Sequence, residues 1–219
     1  MTPFQLVVFD WDGTLMDSLA RIVASMQAAA IDLGIEPRSR DAVHDIVGLA
    51  LDDAISRLHP GLNQEGIRHM HDRYAHHYVE GDKTPSPFFE GARELLQDLY
   101  DGGVLLSVAT GKSRKGLDRI MQAHRVEPLF HSSRCADETR SKPEPDMLLE
   151  ILDYHGLQPG QAVMIGDTEF DLEMASRAGV PSVGVTWGAH DITRLRRHQP
   201  RVCVDSVSEL SNWLRNPTV

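Results

Sequence analysis

The sequence predicts an α/β fold in which a parallel sheet is covered by helices and carries an inserted helical lobe. Three observations support this prediction. Short apolar runs alternate with amphipathic stretches, which is typical of a parallel sheet between helices. Residues 10–103 contain helical patterns but no convincing strand. Polar and charged residues directly follow several apolar runs, and ligands of open α/β sheets bind at such strand ends.

The composition is that of an ordinary globular protein and excludes some classes of partner. The chain has 219 residues, 41% of them hydrophobic and 25% charged, with a formal net charge of −10. This acidity argues against general binding to nucleic acid or to an anionic membrane. No apolar run approaches the roughly 20 residues of a transmembrane helix, and no signal peptide is recognisable. Cys135 and Cys203 form no CxxC motif, so we expect a reduced, cytoplasmic enzyme.

Six apolar runs predict the strands of the sheet, the third of them weakly. They lie at residues 6–9, 104–109, 130–135, 162–165, 182–185 and 202–204. Between the later runs, apolar residues recur at helical spacing. One such stripe contains Leu117, Ile120 and Met121. Strands that alternate with helices in this way predict parallel pairing.

The long interval after the first run predicts a separate helical lobe. A single crossover between parallel strands needs only about a dozen residues. The interval instead holds several helical stripes, the first of which is stopped by Gly34. We therefore place a helical lobe at residues 17–84 and the sheet domain at residues 1–16 and 85–219. A stretch rich in Pro and Gly at residues 84–91 leads back to the sheet.

Four acids follow predicted strands and raise the question of what balances their charge. Asp10 and Asp12 come after the first strand, and Asp167 and Asp171 after the fourth. Residues two apart in extended backbone point the same way, so Asp10 and Asp12 can face one ligand. Carboxylates this close repel unless a cation or proton is present. Mg²⁺ suits such a site, because it binds carboxylates together with water and phosphate oxygens.

Three further residues indicate that the ligand carries a phosphoryl group. Thr110, at the end of the second strand, can donate a hydrogen bond to a phosphoryl oxygen, and Gly111 begins a loop that exposes backbone N–H groups. Lys142 precedes a proline, which favours a loop position, and offers a positive charge to phosphate or to a nucleophilic carboxylate. Aspartate is a nucleophile in phosphoryl transfer. Thr110 as a helix N-cap, and Asp171 as an ordinary first-turn acid, are alternative interpretations.

Four motifs in order resemble the haloacid dehalogenase-like hydrolase superfamily, in the phosphoglycolate phosphatase-like branch with a helical cap. They are DxDGT at residues 10–14, a strand-end Thr110, Lys142, and GDxxxD at residues 166–171. The resemblance implies a Rossmann-like core, a cap at the predicted insertion and a Mg²⁺ cofactor. It also implies that Thr110 and Lys142 hold the phosphoryl group.

The resemblance assigns further roles to the acids. Asp10 would be the nucleophile and a metal ligand. Asp12 would act as general acid and then general base, and would bind the metal through its backbone carbonyl. Asp167 would complete the metal site, with Asp171 supporting it directly or through water. An acid at position 12 favours hydrolysis of a phosphate ester over dehalogenation.

The expected function is therefore Mg²⁺-dependent hydrolysis of a small-molecule phosphomonoester, either phosphoglycolate-like or a sugar phosphate, by a monomer or homodimer. A sugar phosphomutase of the same superfamily is one alternative. A signalling receiver domain, which also phosphorylates an aspartate, is an alternative of another class. Four histidines at positions 69, 71, 76 and 77 lack metal-ligand spacing and are interpreted as a solvated helix face.

Overall fold

A computed structural model describes residues 2–217 and contains a six-stranded parallel sheet. The strands are β1 (Leu6–Phe9), β2 (Leu105–Thr110), β3 (Ser132–Cys135), β4 (Ala162–Gly166), β5 (Ser182–Val185) and β6 (Val202–Val204). Their order is β3-β2-β1-β4-β5-β6, and every neighbouring pair is parallel. The predicted α/β fold class is confirmed. Strand β1, which precedes the first acids, lies at the centre of the sheet between β2 and β4.

Helices fill the intervals between the strands. They are α1 (Leu19–Asp32), α2 (Arg40–His44), α3 (Leu51–Leu58), α4 (Gln64–His76), α5 (Ala92–Asp101), α6 (Arg114–His124), α7 (Asp146–His155), α8 (Glu169–Ala178), α9 (Ile192–Arg196) and α10 (Val207–Arg215). A π-helical segment, His77–Gly81, continues α4. Short 3₁₀ turns lie at Glu127–Leu129 and Pro159–Gln161. Within residues 2–217, no helix combines the length and apolar character needed to cross a bilayer.

The central strand is buried on both faces, which explains its unbroken apolar sequence. Side chains alternate between the two faces of a strand. Val7 and Phe9 join one apolar cluster, whereas Leu6 and Val8 join another on the opposite face. All four residues are fully buried. The sheet thus lies between two helical layers. The acids that follow β1 therefore come directly after a strand that is packed on both faces.

Helices α1 to α4 bury their apolar faces against one another in a third cluster. Leu19, Ile22 and Met26 of α1 belong to it, together with Ile55 of α3 and Met70 of α4. Helix α8 of the sheet domain adds one aromatic side chain to the same cluster. This separate apolar core is evidence for the predicted lobe at residues 17–84. The boundaries of the lobe stay a prediction.

Candidate active site

The loop after β1 brings the first acid against the end of β4. Gly13 has φ of 82°, and a Cβ there would lie 2.2 Å from Asp167 Oδ2, so only glycine fits this turn. Thr14 Oγ1 donates a hydrogen bond of 2.7 Å to Asp167 Oδ1. Trp11 is fully buried in the apolar core. The loop is therefore anchored at both ends and presents Asp10 at the edge of the sheet.

Three buried acids converge at this edge. Asp10, Asp167 and Asp171 each offer a carboxylate oxygen within 4.8 Å of the other two. Asp10 Oδ2 is buried and has no hydrogen-bond partner within residues 2–217. Such an oxygen is costly to bury unless something binds it. The cluster unites three of the four predicted metal ligands and suits a hard divalent cation. The Asp12 carboxylate lies outside it.

Lys142 connects two of these acids. Its Nζ lies 2.5 Å from Asp10 Oδ1 and 2.6 Å from Asp171 Oδ1, and its side chain is completely buried. The residue lies in the loop before α7, as the following proline predicted. Three carboxylates and the Lys142 ammonium carry two net negative charges when all are ionised. A divalent cation would balance that charge, and the donor set therefore fits one.

Asp171 reaches the cluster in a way that spacing alone did not reveal. Helix α8 begins at Glu169, so Asp167 precedes the helix and does not share a helical face with Asp171. Instead, Thr168 donates its backbone N–H, at 3.1 Å, and its hydroxyl, at 2.7 Å, to Asp171 Oδ2. Asp171 thus closes a capping box with one oxygen and faces Lys142 with the other.

Burial dominates the protonation of the cluster. It raises the pKa of Asp10 against the opposing effect of Lys142, and it raises the pKa of Asp167 to about 7, assisted by the negative charge of Asp171. Burial also disfavours the Lys142 ammonium, but Asp10 and Asp171 together raise the pKa of this lysine above its ordinary value. Without a metal, Asp10 and Asp167 therefore bind protons at a pH where exposed carboxylates are ionised.

The raised pKa of Asp167 predicts how the stability of the metal-free protein depends on pH. The difference in free energy of unfolding between this protein and an Asp167→Asn variant should change with pH. The unfolded Asp167 ionises near pH 4, whereas the folded residue ionises at about 7. Between these values only the folded state binds the proton, so the native chain loses stability as pH rises, by up to about 1.4 kcal/mol per pH unit relative to the variant. Urea unfolding in EDTA from pH 5 to 8 measures the difference. If the difference in free energy of unfolding between the two proteins did not change with pH, the raised pKa of Asp167 would be contradicted.

Asp12 occupies a separate, polar position beside the acid cluster. Its Oδ1 accepts a 2.6 Å hydrogen bond from Ser18 Oγ, and its Oδ2 lies 2.8 Å from Lys112 Nζ. Lys112 also donates to the Tyr78 hydroxyl at 3.2 Å and lies 4.7 Å from the centre of that ring. Neither Lys112 nor Tyr78 was among the site residues predicted from the sequence. Lys112 lies only two residues after Thr110, and this spacing could have indicated that it belongs to the same site.

Thr110 and Gly111 lie where the lobe meets the sheet. Thr110 is the last residue of β2, is 1% exposed, and accepts a 3.2 Å hydrogen bond from Lys112 N–H at Oγ1. Ser113, not Thr110, caps α6, so the alternative interpretation of Thr110 as N-cap is wrong. A Cβ on Gly111 would lie 2.5 Å from the backbone oxygen of Leu49. Gly111 therefore permits close contact between the two parts of the chain.

A cavity of about 390 Å³ opens between the lobe and the strand ends. Asp10, Asp12, Thr110 and Gly111 line it on the sheet side. Lys142 contacts Asp10 from the buried side, together with Asp167 and Asp171. The structure thus places the predicted catalytic acids, Asp10 and Asp12, along a cavity large enough for a small molecule.

Comparisons with known proteins match nearly the whole chain. The family model described as Haloacid dehalogenase-like hydrolase matches residues 7–185. A protein named "Probable phosphatase IndB" from Dickeya dadantii is 33% identical over 209 residues, covering 94% of this chain and 91% of that protein. A "Phosphoglycolate phosphatase" from Aliivibrio fischeri is 28% identical over 214 residues, covering 94% of each.

The fold is also shared with solved structures. The crystal structure of a "predicted phosphoglycolate phosphatase" from Haemophilus somnus superposes with a TM-score of 0.88 at 25% identity. That comparison covers 97% of this chain and 98% of the other. A "predicted phosphatase" from Clostridium acetobutylicum gives a TM-score of 0.86 at 26% identity, covering 97% and 98% of the two chains. Sheet and helical lobe therefore both have counterparts in these proteins.

Proposed function

Because the chain belongs to the haloacid dehalogenase-like hydrolase family, we propose that it is a Mg²⁺-dependent phosphatase acting on a small phosphomonoester. Membership confirms the predicted family, and relatives named as phosphatases support this class of activity. One observation carries the proposal: a buried carboxylate oxygen, Asp10 Oδ2, has no hydrogen-bond partner within residues 2–217, and its residue lines the cavity.

Asp10, Asp167 and Asp171 would hold the metal, with the backbone carbonyl of Asp12. Each of the three carboxylates offers an oxygen atom, which is the kind of ligand that Mg²⁺ prefers. Bound there, Mg²⁺ would neutralise charge on the phosphoryl oxygens and on the acids around it. Lys142 already offsets part of this charge through its contacts with Asp10 and Asp171.

The residues support a two-step reaction. A carboxylate oxygen of Asp10 attacks phosphorus, and the bond from phosphorus to the alcohol oxygen breaks while Asp12 donates a proton to that oxygen. Water then attacks phosphorus of the aspartyl-phosphate, Asp12 accepts a proton from the water, the bond from phosphorus to the Asp10 oxygen breaks, and inorganic phosphate leaves. Thr110 and Lys142 hold the phosphoryl oxygens. Lys112 and Ser18 fix the orientation of the Asp12 carboxylate.

The metal requirement gives a direct test. We expect hydrolysis of p-nitrophenyl phosphate in Mg²⁺ and a loss of at least about 100-fold after EDTA treatment, because a catalytic metal contributes several kcal/mol to transition-state stabilisation. Readdition of Mg²⁺ should restore the rate. Full turnover in EDTA would contradict the proposal.

Phosphate release distinguishes the alternatives in the same assay. Free inorganic phosphate identifies a phosphatase, whereas transfer to a sugar phosphate acceptor identifies a mutase. A phosphoaspartate that persists without turnover identifies a receiver-like protein. Phosphate release in proportion to the alcohol formed is the expected result.

A further inference from the structure

The wall of the cavity that faces the catalytic acids is largely apolar. It is formed by the helical lobe, including the segment between α2 and α3. The apolar residues that line it include Ile22, Met26, Val47, Leu51, Tyr74 and Tyr78. A cavity of about 390 Å³ falls in the size range of sites for molecules well beyond a two-carbon acid. The space above the acids therefore matches a larger alcohol with an apolar body.

Two tyrosines form a fixed aromatic part of this wall. Tyr74 and Tyr78 stack with ring centres 5.6 Å apart and an interplanar angle of 27°. Residues 71, 74, 75, 78 and 79 all line the cavity, so one face of α4 and its π-helical continuation faces the cavity. Arg21 Nη2 donates to the backbone oxygen of Tyr78 at 2.6 Å, and its guanidinium lies 5.0 Å from that ring. The wall is therefore preorganised.

One polar group on this wall is free to bind a ligand. The Tyr74 hydroxyl makes no hydrogen bond to any other residue in the range 2–217. Burial raises the pKa of Tyr74, so the hydroxyl stays protonated at neutral pH and can donate. By contrast, the cavity's partly buried cation, Lys112, is already paired with Asp12. Lys115 and Arg119 line the rim as exposed side chains.

We propose that this pocket selects a phosphomonoester whose alcohol contains a ring-sized, largely apolar body that packs against Tyr74 and Tyr78. An ester of a short polar acid such as glycolate would leave the apolar wall uncovered, with no matching group on the substrate. The inference rests on the proposed function and names the substrate class of the same site. Tyr74 is assigned as a specificity-determining residue.

The test compares esters whose alcohols have similar basicity. For the full chain in Mg²⁺, kcat/KM is measured by phosphate release for 2-phenylethyl phosphate, ethyl phosphate and phosphoglycolate. The phenylethyl ester should exceed both others by about tenfold or more, the factor expected when an aromatic ring is buried against an aromatic wall. A higher kcat/KM for phosphoglycolate or ethyl phosphate would overturn the inference.

Variants at Tyr74 test the wall itself. Tyr74→Leu should reduce kcat/KM for 2-phenylethyl phosphate about tenfold more than for ethyl phosphate, and Tyr74→Phe should keep most of the preference because the ring remains. His69→Ala, on an exposed position of α4, is the control and should leave the ratio unchanged. Equal losses on both esters in a folded Tyr74→Leu protein would contradict the assignment. If that variant does not fold, the wild-type ratio and Tyr74→Phe still decide.

The two proposals fail differently. If no ester is hydrolysed, or if hydrolysis survives Asp10→Asn, the proposed phosphatase function is wrong. If hydrolysis depends on Asp10 but phosphoglycolate is the best of the three esters, the phosphatase function stands and the inference about the alcohol is wrong.

Discussion

Asp10→Asn lowers turnover of p-nitrophenyl phosphate by at least about 10⁴-fold while the protein stays folded. The amide retains the shape of the side chain but is a far weaker nucleophile, and removal of a nucleophile commonly costs this much. Steady-state kinetics with Mg²⁺ measure the loss. Intact mass spectrometry of rapidly quenched samples should detect a phosphoryl adduct on the wild type and none on the variant.

A folding control accompanies this measurement. Asp10 accepts a hydrogen bond from Lys142 at 2.5 Å, so its loss could disturb the buried cluster as well as the chemistry. Thermal unfolding of both proteins in Mg²⁺ separates these effects. A folded Asp10→Asn protein that retains substantial turnover would show that another group forms the covalent intermediate, or that none forms.

Lys142→Met destabilises the metal-free protein by about 3–5 kcal/mol and abolishes turnover. The lysine is completely buried between Asp10 and Asp171, and loss of one partner from a buried ion pair leaves uncompensated charge. Without this cation, the acids would have to take up further protons or repel one another. Urea unfolding in EDTA measures the destabilisation, and Mg²⁺ should recover part of it because it supplies the missing positive charge.

Lys83→Met is the matched control. Lys83 is an exposed residue outside the acid cluster, and its Nζ contacts the backbone oxygen of Glu80. The same chemical change there should alter the free energy of unfolding by no more than about 0.5 kcal/mol. Similar effects of the two substitutions would show that Lys142 does not stabilise the cluster through its charge.

The strands were largely predictable because most of them are buried on both faces. Strand β1 is continuous in apolar residues and was located correctly. Strand β3 gave a weak signal, because its residues Ser132–Cys135 are mostly polar and only partly buried at the edge of the sheet. A hydrogen bond of 2.7 Å between Ser107 and Ser132 joins it to β2. Polar pairing of this kind leaves no apolar pattern in the sequence.

The acids were predictable because parallel strands deliver their carboxyl ends to one edge. That rule located Asp10 and Asp167 next to each other without any knowledge of loop geometry. It could not reveal the contact of Lys112 with Tyr78, because that contact depends on how the inserted lobe lies over the sheet. Nor could it show that Asp171 faces Lys142, since a capping box turns the acid toward the lysine.

The close approach at Gly111 shields the cavity from solvent on one side. The backbone of Leu49 comes so near that a single methyl group at position 111 would overlap it. A larger residue there would push the helical lobe away from the sheet and open a gap between them. Closure of the cavity at this contact thus depends on a position where the chain has no side chain at all.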